Sequence, residues 1–310
     1  MKLQGSIVAL VTPFTDGGDA IDYSVAKSLI QMQKDGGTDG LVIGGTTGEG
    51  PTLSDDELES LVNMAIDLSD DSFKIIATCG TNCTRKSIKR AQIAKQAGAD
   101  GCLATVPYYN KPCFRGLFSH FSALAEVGLP VVIYHHPGRT GISLNAEELA
   151  TLHQIDGVVA IKDCGTDPSL IARICRIMPE ARILSGNDDL TLPVIKEGGV
   201  GCISVIGNLM PRQWKKILSL ALEGKHDEAL DCYKEIEALI TALNLEVNPQ
   251  GIKCAMTLSG LIENKLRLPM VPVCEETEKA IALALNEWGK SKGKGRGKRL
   301  VGVNAFEFLR

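Results

Sequence analysis

Short apolar runs rich in valine and isoleucine alternate with longer segments in which apolar residues recur at helical spacing. Such runs predict buried parallel strands, and the segments between them predict the connecting helices. One helix start is marked directly, because Ser54 and Glu57 have the spacing of a capping box. The predicted strands cover residues 6–12, 40–43, 74–79, 101–106, 131–134, 158–162, 182–185 and 202–206.

Eight strands that alternate with helices predict an α/β fold, a (β/α)8 TIM barrel, because a doubly wound open sheet usually has about five or six strands. The barrel is predicted to occupy residues 1–224. The helical patterns that follow, at residues 227–243, 251–261 and 275–288, have no strand between them. They predict a C-terminal helical extension, residues 225–288, that packs on the barrel.

Residues 289–310 form a basic tail that begins with a run of glycine, lysine and arginine. Such a run buries almost no apolar area, so we expect the tail to be disordered. A basic segment of this kind could bind nucleic acid. A solvated tail, or an extension that is not native to the protein, is the preferred interpretation.

The composition is that of a globular protein with a sizeable core, since 44% of the 310 residues are hydrophobic and 23% are charged. The formal net charge of −4 provides no positive field for nucleic acid or anionic lipid. No apolar run approaches the roughly 20 residues of a membrane helix. We therefore expect a cytoplasmic protein that binds neither nucleic acid nor membranes. The 10 cysteines include no Cys-x-x-Cys pair, which favours reduced thiols over a metal cluster.

The active site of a TIM barrel lies at the carboxyl ends of its strands, so the residues that follow each predicted strand are the candidates. Lys162 ends an apolar strand, where loss of water favours the neutral, nucleophilic amine. Such a lysine can form a Schiff base with a carbonyl substrate, and the protonated imine then accepts electrons from the adjacent carbon. A structural lysine paired with Asp163 or with a helix end is the alternative, and Lys162 alone does not decide between the two.

Other strand ends carry groups that suit a small carboxylic acid. Thr46 and Thr47 lie in a glycine-rich turn whose backbone amides could bind a carboxylate, although such turns are more often simple connections. Tyr109 and Tyr134 could relay protons, or could pack with satisfied hydroxyls. Arg139 offers a bidentate fork for a carboxylate, with a surface ion pair as the alternative.

Two adjacent histidines, His135 and His136, suggest a metal site because imidazole is a common zinc ligand. Neighbouring residues on a strand point to opposite faces, so the two rings cannot readily bind one ion. We therefore predict no metal site at these histidines.

Five motifs together resemble those of the dihydrodipicolinate synthase and N-acetylneuraminate lyase superfamily, in order and spacing, from about residue 5 to about residue 261. They are Gly-Thr-Thr-Gly-Glu at 45–49, Pro-Tyr-Tyr-Asn-Lys-Pro at 107–112, Tyr-His-His-Pro-Gly-Arg-Thr-Gly at 134–141, Ile-Lys at 161–162 and Ser-Gly-Asn-Asp at 185–188. The combination is highly specific for this superfamily.

The resemblance implies a pyruvate-dependent class I aldolase that uses neither a cofactor nor a metal. Lys162 would form the Schiff base with pyruvate, and Thr46 and Thr47 would hold the pyruvate carboxylate. In the family, the tyrosine that matches Tyr109 enters the site of a neighbouring subunit, which implies a homotetramer built as a dimer of dimers. The implied catalytic residues are Lys162, Tyr134, Thr46 and Tyr109, and the implied substrate-binding residues are Thr47, Arg139, Gly186 and Ile203.

Arg139 favours one branch of the superfamily, because in the dihydrodipicolinate synthases the matching arginine recruits the carboxylate of L-aspartate 4-semialdehyde. The implied reaction condenses pyruvate with that aldehyde to 4-hydroxy-tetrahydrodipicolinate, the first committed step toward diaminopimelate and lysine. The alternatives are a 2-keto-3-deoxy sugar-acid or N-acetylneuraminate aldolase, and a non-catalytic barrel that binds a keto acid. The chain departs from the commonest pattern at His135, Gly138 and Asp163, where asparagine, serine and glutamate are usual, and these departures leave the aldehyde open.

Many members of the family are inhibited by lysine that binds at a subunit interface near Tyr108. Where the family has an acidic contact for the inhibitor, this chain has Lys86 beside Arg85, and these cations would repel the ligand's ammonium groups. Asp55 and Leu58 replace histidines of the sensitive members. The resemblance therefore implies an enzyme that is insensitive to lysine, with a Lys86 turned toward solvent as the alternative.

Overall fold

The computed structural model describes residues 1–291 and contains a closed barrel of eight parallel strands in chain order. Strand β1 pairs with both β2 and β8, which closes the sheet. The predicted (β/α)8 TIM barrel is therefore confirmed. The strands are β1 (Gly5–Ala9), β2 (Gly40–Ile43), β3 (Lys74–Thr78), β4 (Gly101–Thr105), β5 (Val131–His135), β6 (Val158–Asp163), β7 (Ile183–Ser185) and β8 (Gly201–Ser204).

Helices surround the barrel and continue beyond its last strand. Four short 3₁₀ helices, Asp16–Gly18, Gly50–Thr52, Asp188–Leu190 and Ile206–Asn208, lie in the connecting loops. The α-helices are α1 (Tyr23–Asp35), α2 (Asp55–Asp67), α3 (Thr84–Gln96), α4 (Phe114–Ala125), α5 (Pro137–Thr140), α6 (Ala146–His153), α7 (Ser169–Ile177), α8 (Thr191–Lys196), α9 (Pro211–Leu222), α10 (His226–Lys234), α11 (Glu237–Leu243), α12 (Gln250–Leu258) and α13 (Glu275–Ser291).

Two apolar layers form the core. Successive side chains of a strand point to opposite faces, so each strand supplies both layers, which explains the nearly continuous apolar runs in the sequence. One layer lies between the strands and the helices, and the other fills the barrel interior. Because the interior is filled, a substrate can bind only above the strand ends. The interior layer includes Ile7, Val42, Ile76, Leu103, Val132, Ala160, Leu184 and Ile203.

The first and last strands end earlier than the sequence predicts, at Ala9 and Ser204. Side chains from other loops take up the backbone groups there. Asn208 donates to the carbonyl of Ala9 at 2.8 Å and accepts from the amide of Val11 at 3.0 Å. After Ser204, the carboxylate of Asp188 accepts from the amides of the next two residues, at 3.0 and 2.7 Å. These long-range bonds divert the chain from the sheet.

The helices after the barrel differ from prediction mainly at one break. The pattern at residues 227–243 forms two helices, α10 and α11, separated at Ile236, which the bend buries. Helix α13 packs against α11 and α12. It begins at Glu275 as predicted and runs to Ser291, so the first three residues of the predicted tail are helical. The rest of the tail prediction, residues 292–310, lies outside the described residues.

The capping box predicted at Ser54 and Glu57 is present, with both of its hydrogen bonds. All ten cysteines lie within the described residues as free thiols. In the part of the chain that the structure describes, no helix is long and apolar enough to cross a membrane.

Candidate active site

A cavity of about 180 Å³ opens at the carboxyl ends of the strands. The loops after β2, β5, β6 and β7 form much of its wall, and the segment from α11 to α12 closes one side. This is the position at which TIM barrels carry their active sites. Six of the eight predicted site residues line it: Thr46, Thr47, Tyr134, Arg139, Lys162 and Gly186.

Lys162 lies near the end of β6 with 6% of its surface exposed. Its register partner on β5 is Tyr134, and Nζ of the lysine lies 4.4 Å from the centre of the tyrosine ring. No hydrogen bond or ion pair within residues 1–291 engages the Lys162 amine, and Asp163 turns to the opposite face of the strand. The alternative of a structural Lys162–Asp163 pair is therefore not what the structure contains.

Tyr134 places a neutral phenol beside that amine. Burial raises the pKa of the Tyr134 hydroxyl well above its usual range. The side chain of Thr46 hydrogen-bonds to the phenol and opposes this shift in pKa. Sγ of Cys164 lies 3.9 Å from the same oxygen. The phenol is thus protonated at neutral pH and hydrogen-bonded to the glycine-rich turn, so it can pass a proton between groups in the cavity.

Gly186 leaves the space that the Lys162 side chain occupies. A methyl group at this position would lie 2.6 Å from Cε of Lys162 and still closer to the sulfur of Cys164. The Gly186 amide donates to the carbonyl of Asp163 at 2.7 Å, which holds the loop after β7 against the end of β6. Any side chain at this position would displace the lysine.

The Thr46–Thr47 turn presents free backbone donors. Neither amide of these two threonines donates a hydrogen bond to another described residue, and amides left free in a tight turn form a site for a small anion. The turn is held from below by the hydroxyl of Thr12, which donates to the carbonyl of Gly48 at 2.7 Å.

A buried ion pair anchors the same turn from outside. Glu49, whose φ of 54° is left-handed, pairs with Lys253 of α12, and both side chains are almost fully buried. The Lys253 amine also donates to the carbonyl of Lys265 at 2.8 Å. Burial lowers the pKa of Lys253 to about 8, and the charge of Glu49 opposes that shift. The sequence analysis did not identify this link between the turn and the helices after the barrel.

Asn248 is a second residue of the cavity wall that the sequence analysis missed. Its side-chain amide donates to Oγ1 of Thr47 at 3.1 Å, and its carbonyl accepts from the guanidinium of Arg139 at 3.2 Å. It therefore joins the threonine turn to the arginine. The available signal was the Asn-Pro dipeptide after α11, which marks a turn but does not reveal what the turn approaches.

The two adjacent histidines point in different directions, as expected for neighbours on a strand. His135 is buried and accepts from the amide of Leu144 at Nε2, whereas His136 lines the cavity. Among the described residues, no group of three or more histidine, cysteine, aspartate or glutamate side chains could hold a metal ion.

Tyr109 and Ile203 are predicted site residues that this chain does not bring to the cavity wall. Tyr109 follows β4 with 89% of its surface exposed and a left-handed φ of 71°. Ile203 lies in the filled interior of the barrel. An exposed tyrosine held in an unfavourable backbone conformation has no evident role within a single chain.

Comparisons with known proteins identify the family of the chain. The sequence profile of the Dihydrodipicolinate synthetase family matches residues 2–288. A 4-hydroxy-tetrahydrodipicolinate synthase from Persephonella marina is 41% identical over 290 residues, which are 92% of this chain and 98% of that protein.

Solved structures show the same similarity. The crystal structure of dihydrodipicolinate synthase from Aquifex aeolicus has a TM-score of 0.89 and 36% identity, and covers 93% of this chain and 98% of its own. The chloride-inhibited dihydrodipicolinate synthase from Acinetobacter baumannii, complexed with pyruvate, has a TM-score of 0.90 and 34% identity, with 93% and 99% covered. The chain therefore belongs to the dihydrodipicolinate synthetase family, and it is an enzyme of the lyase class.

Proposed function

We propose that this enzyme condenses pyruvate with L-aspartate 4-semialdehyde to 4-hydroxy-tetrahydrodipicolinate. The observation that carries the proposal is the placement of Lys162. Its amine has no ion-pair partner in the described chain, lies 4.4 Å from the ring of Tyr134, and shares a cavity with the free amides of the threonine turn. A nucleophile, a proton donor and a carboxylate site are what Schiff-base chemistry on a small keto acid requires.

In the first step, the threonine turn binds the pyruvate carboxylate and the Lys162 amine attacks the adjacent ketone. The carbinolamine loses its hydroxyl as water, and a carbon–nitrogen double bond replaces the carbon–oxygen one. Tyr134 supplies the proton for that departure, because its hydroxyl is protonated and its ring centre lies 4.4 Å from the amine. The protonated imine then makes the pyruvate methyl more acidic, and the Tyr134 phenolate left by the first proton transfer takes a methyl proton to give the enamine.

In the second step, the enamine carbon attacks the aldehyde, and the new alkoxide takes a proton through the relay of Tyr134. Arg139 would hold the carboxylate of the aldehyde substrate, since its guanidinium reaches the cavity while Asn248 fixes one of its nitrogens. The substrate's own amino group then attacks the imine carbon and displaces Lys162. One water is lost overall, and the lysine is regenerated.

The assembly that we propose is a homotetramer, a dimer of dimers. Tyr109 supports it, because this side chain is almost fully exposed in one chain and would complete the proton relay from a neighbouring subunit. Within the chain, we propose that residues 1–224 form the catalytic barrel and residues 225–288 the helical extension that supplies Asn248 and Lys253. The product would enter diaminopimelate and lysine biosynthesis in the cytoplasm.

The proposal is tested by steady-state kinetics with pyruvate and a panel of aldehydes. We expect efficient turnover of L-aspartate 4-semialdehyde and little turnover of polyol aldehydes, because Arg139 suits a carboxylate at the acceptor position. The Arg139→Ala variant should lose at least about tenfold in kcat/KM for the semialdehyde. Preferential turnover of a sugar aldehyde would contradict the proposal in favour of the aldolase alternative.

A further inference from the structure

His136 is a cavity residue that the reaction described above does not use. It follows β5 directly and is partly buried, and its ring lies edge-on to that of Tyr134 with 5.8 Å between the ring centres. Neither ring nitrogen of His136 has a hydrogen-bond partner in another described residue. A polar side chain that lines a cavity without a protein partner is a candidate for contact with a ligand.

The preceding residue provides an internal comparison. Both ring nitrogens of His135 are engaged, Nδ1 with Asp163 at 2.6 Å and Nε2 with the amide of Leu144 at 3.1 Å. The protein thus satisfies both ring nitrogens of the histidine that points away from the cavity. His136 has the same chemistry, occupies the opposite face, and is left without such bonds.

The surroundings of His136 keep its ring uncharged. Burial lowers the pKa of the imidazole to about 4, and the charges of Arg139 and Lys162 act in the same direction. A neutral imidazole can donate a hydrogen bond from one nitrogen and accept one at the other. Because it carries no charge, it does not repel the guanidinium of Arg139 and does not compete with it for a carboxylate.

The two nitrogens of His136 are not equivalent. Nδ1 is fully enclosed by the protein. Gly138 packs beside it, and a methyl group added to Gly138 would lie 3.7 Å from Nδ1. Nε2 is not enclosed in this way, so it is the nitrogen through which the ring can contact a molecule in the cavity. A polar group of a bound substrate can therefore form a hydrogen bond with this nitrogen.

We propose that His136 determines specificity for the second substrate, by a hydrogen bond between Nε2 and the acceptor aldehyde beside Arg139. The inference rests on the proposed function and deepens it. His136 and Arg139 belong to one turn, in which the Arg139 amide donates to the His136 carbonyl at 3.0 Å. Pyruvate is accounted for by Lys162 and the threonine turn. Nε2 of His136 is therefore left to bind the carboxylate-bearing aldehyde.

The test compares three substitutions at one position. His136→Gln keeps a polar group near the place of Nε2, His136→Asn keeps one near the place of Nδ1, and His136→Leu keeps neither. We expect the leucine and asparagine variants to raise KM for L-aspartate 4-semialdehyde about tenfold, the value of one hydrogen bond. The glutamine variant should stay within about threefold of the parent enzyme.

Two further measurements separate this inference from the proposed function. Borohydride trapping of pyruvate on Lys162 should proceed at the parent rate in all three variants, and thermal unfolding should show that each variant is folded. Unchanged KM for the aldehyde in all three, equal behaviour of the glutamine and asparagine variants, or loss of pyruvate trapping would overturn the role of His136. A parent enzyme that traps pyruvate but does not use the semialdehyde would instead overturn the proposed function.

Discussion

His135 donates its Nδ1 proton to the carboxylate of Asp163, with 2.6 Å between the two atoms and both side chains buried. The Leu144 amide donates to Nε2 of the same ring, which fixes the proton on Nδ1. Strand pairing places the two residues in register, one on β5 and one on β6. The pair thus joins the strands that carry Tyr134 and Lys162, directly beyond those two residues.

The two members of this pair are also two of the positions at which the chain departs from the commonest family pattern. Histidine is longer than the usual asparagine, and aspartate is one methylene shorter than the usual glutamate, so the pair retains a similar total reach. We therefore predict that His135→Asn and Asp163→Glu each lower the free energy of unfolding by about 2 kcal/mol. The double variant should recover at least about 1 kcal/mol of the sum. Chemical denaturation of the four proteins measures this coupling, and strictly additive losses would show that the residues are independent.

Gly186→Ala should abolish Schiff-base formation while the barrel remains folded. The added methyl would meet the Lys162 side chain at 2.6 Å, as well as the sulfur of Cys164, so the amine must leave its position beside Tyr134. We expect the rate of pyruvate trapping to fall about 100-fold or more, since misplaced groups lose much of their effective concentration. Gly138→Ala is the matched control, because a methyl there meets His136 at an ordinary 3.5 Å. Equal rates in the two variants would refute the steric role of Gly186.

The stability of the protein should fall in acid partly through His120. This residue is buried in α4, its Nδ1 lies 2.9 Å from the hydroxyl of Thr84, and burial lowers its pKa to about 4. Because the folded pKa lies below the unfolded value of about 6.5, the unfolded chain binds more protons between these pH values. The contribution of His120 is therefore complete above pH 6.5 and is lost as pH falls toward 4, by up to about 3 kcal/mol.

The check is the pH dependence of unfolding in His120→Asn, which keeps a polar group for Thr84 but cannot gain a proton. Its free energy of unfolding should decline less steeply between pH 6.5 and pH 4 than that of the parent protein. Parallel curves would show that His120 does not titrate in this way.

The enzyme should not respond to lysine. Lys86 and Arg85 lie near the start of α3, and both are exposed in the single chain. The exposure of Lys86 matches the alternative given for it above, so the prediction rests on the cationic charge of this surface and on Asp55, which Arg90 already engages at 2.9 Å. The inhibitor's ammonium groups would meet cations rather than a free carboxylate. We expect initial rates to be constant in a titration with L-lysine up to millimolar concentrations. Inhibition at submillimolar lysine would contradict this expectation.

The fold was predictable because its signals are local. Strand runs, helical spacing and the capping box at Ser54 depend on neighbours in sequence, and the order of eight strands leaves few topologies. The errors occur where distant residues intervene, such as Asn208 at the end of β1 and Asp188 after β8. These side chains take the place of hydrogen bonds between strands, and they come from distant parts of the sequence. A pattern of neighbouring residues therefore cannot predict them.

The residues of the candidate site also separate into those that local sequence predicts and those that it does not. Lys162, Tyr134 and Arg139 stand at strand ends, where the architecture itself identifies candidates. Asn248 and Lys253 come from beyond the barrel, and only the packing of α12 on the threonine turn reveals their contacts. The hydrogen bond between His135 and Asp163 could be predicted only with the strand register known, although both residues depart from the family pattern.

Borohydride reduction in the presence of pyruvate, followed by peptide mass spectrometry, tests most directly whether Lys162 forms the Schiff base. The chain contains its own control, since Lys253 is even more deeply buried but is paired with Glu49 and does not line the cavity that holds Lys162. We predict one reduced pyruvyl adduct, on Lys162, that depends on pyruvate and disappears in Lys162→Met. An adduct on Lys253 or another lysine, or the absence of any adduct in an enzyme that turns over, would contradict the mechanism.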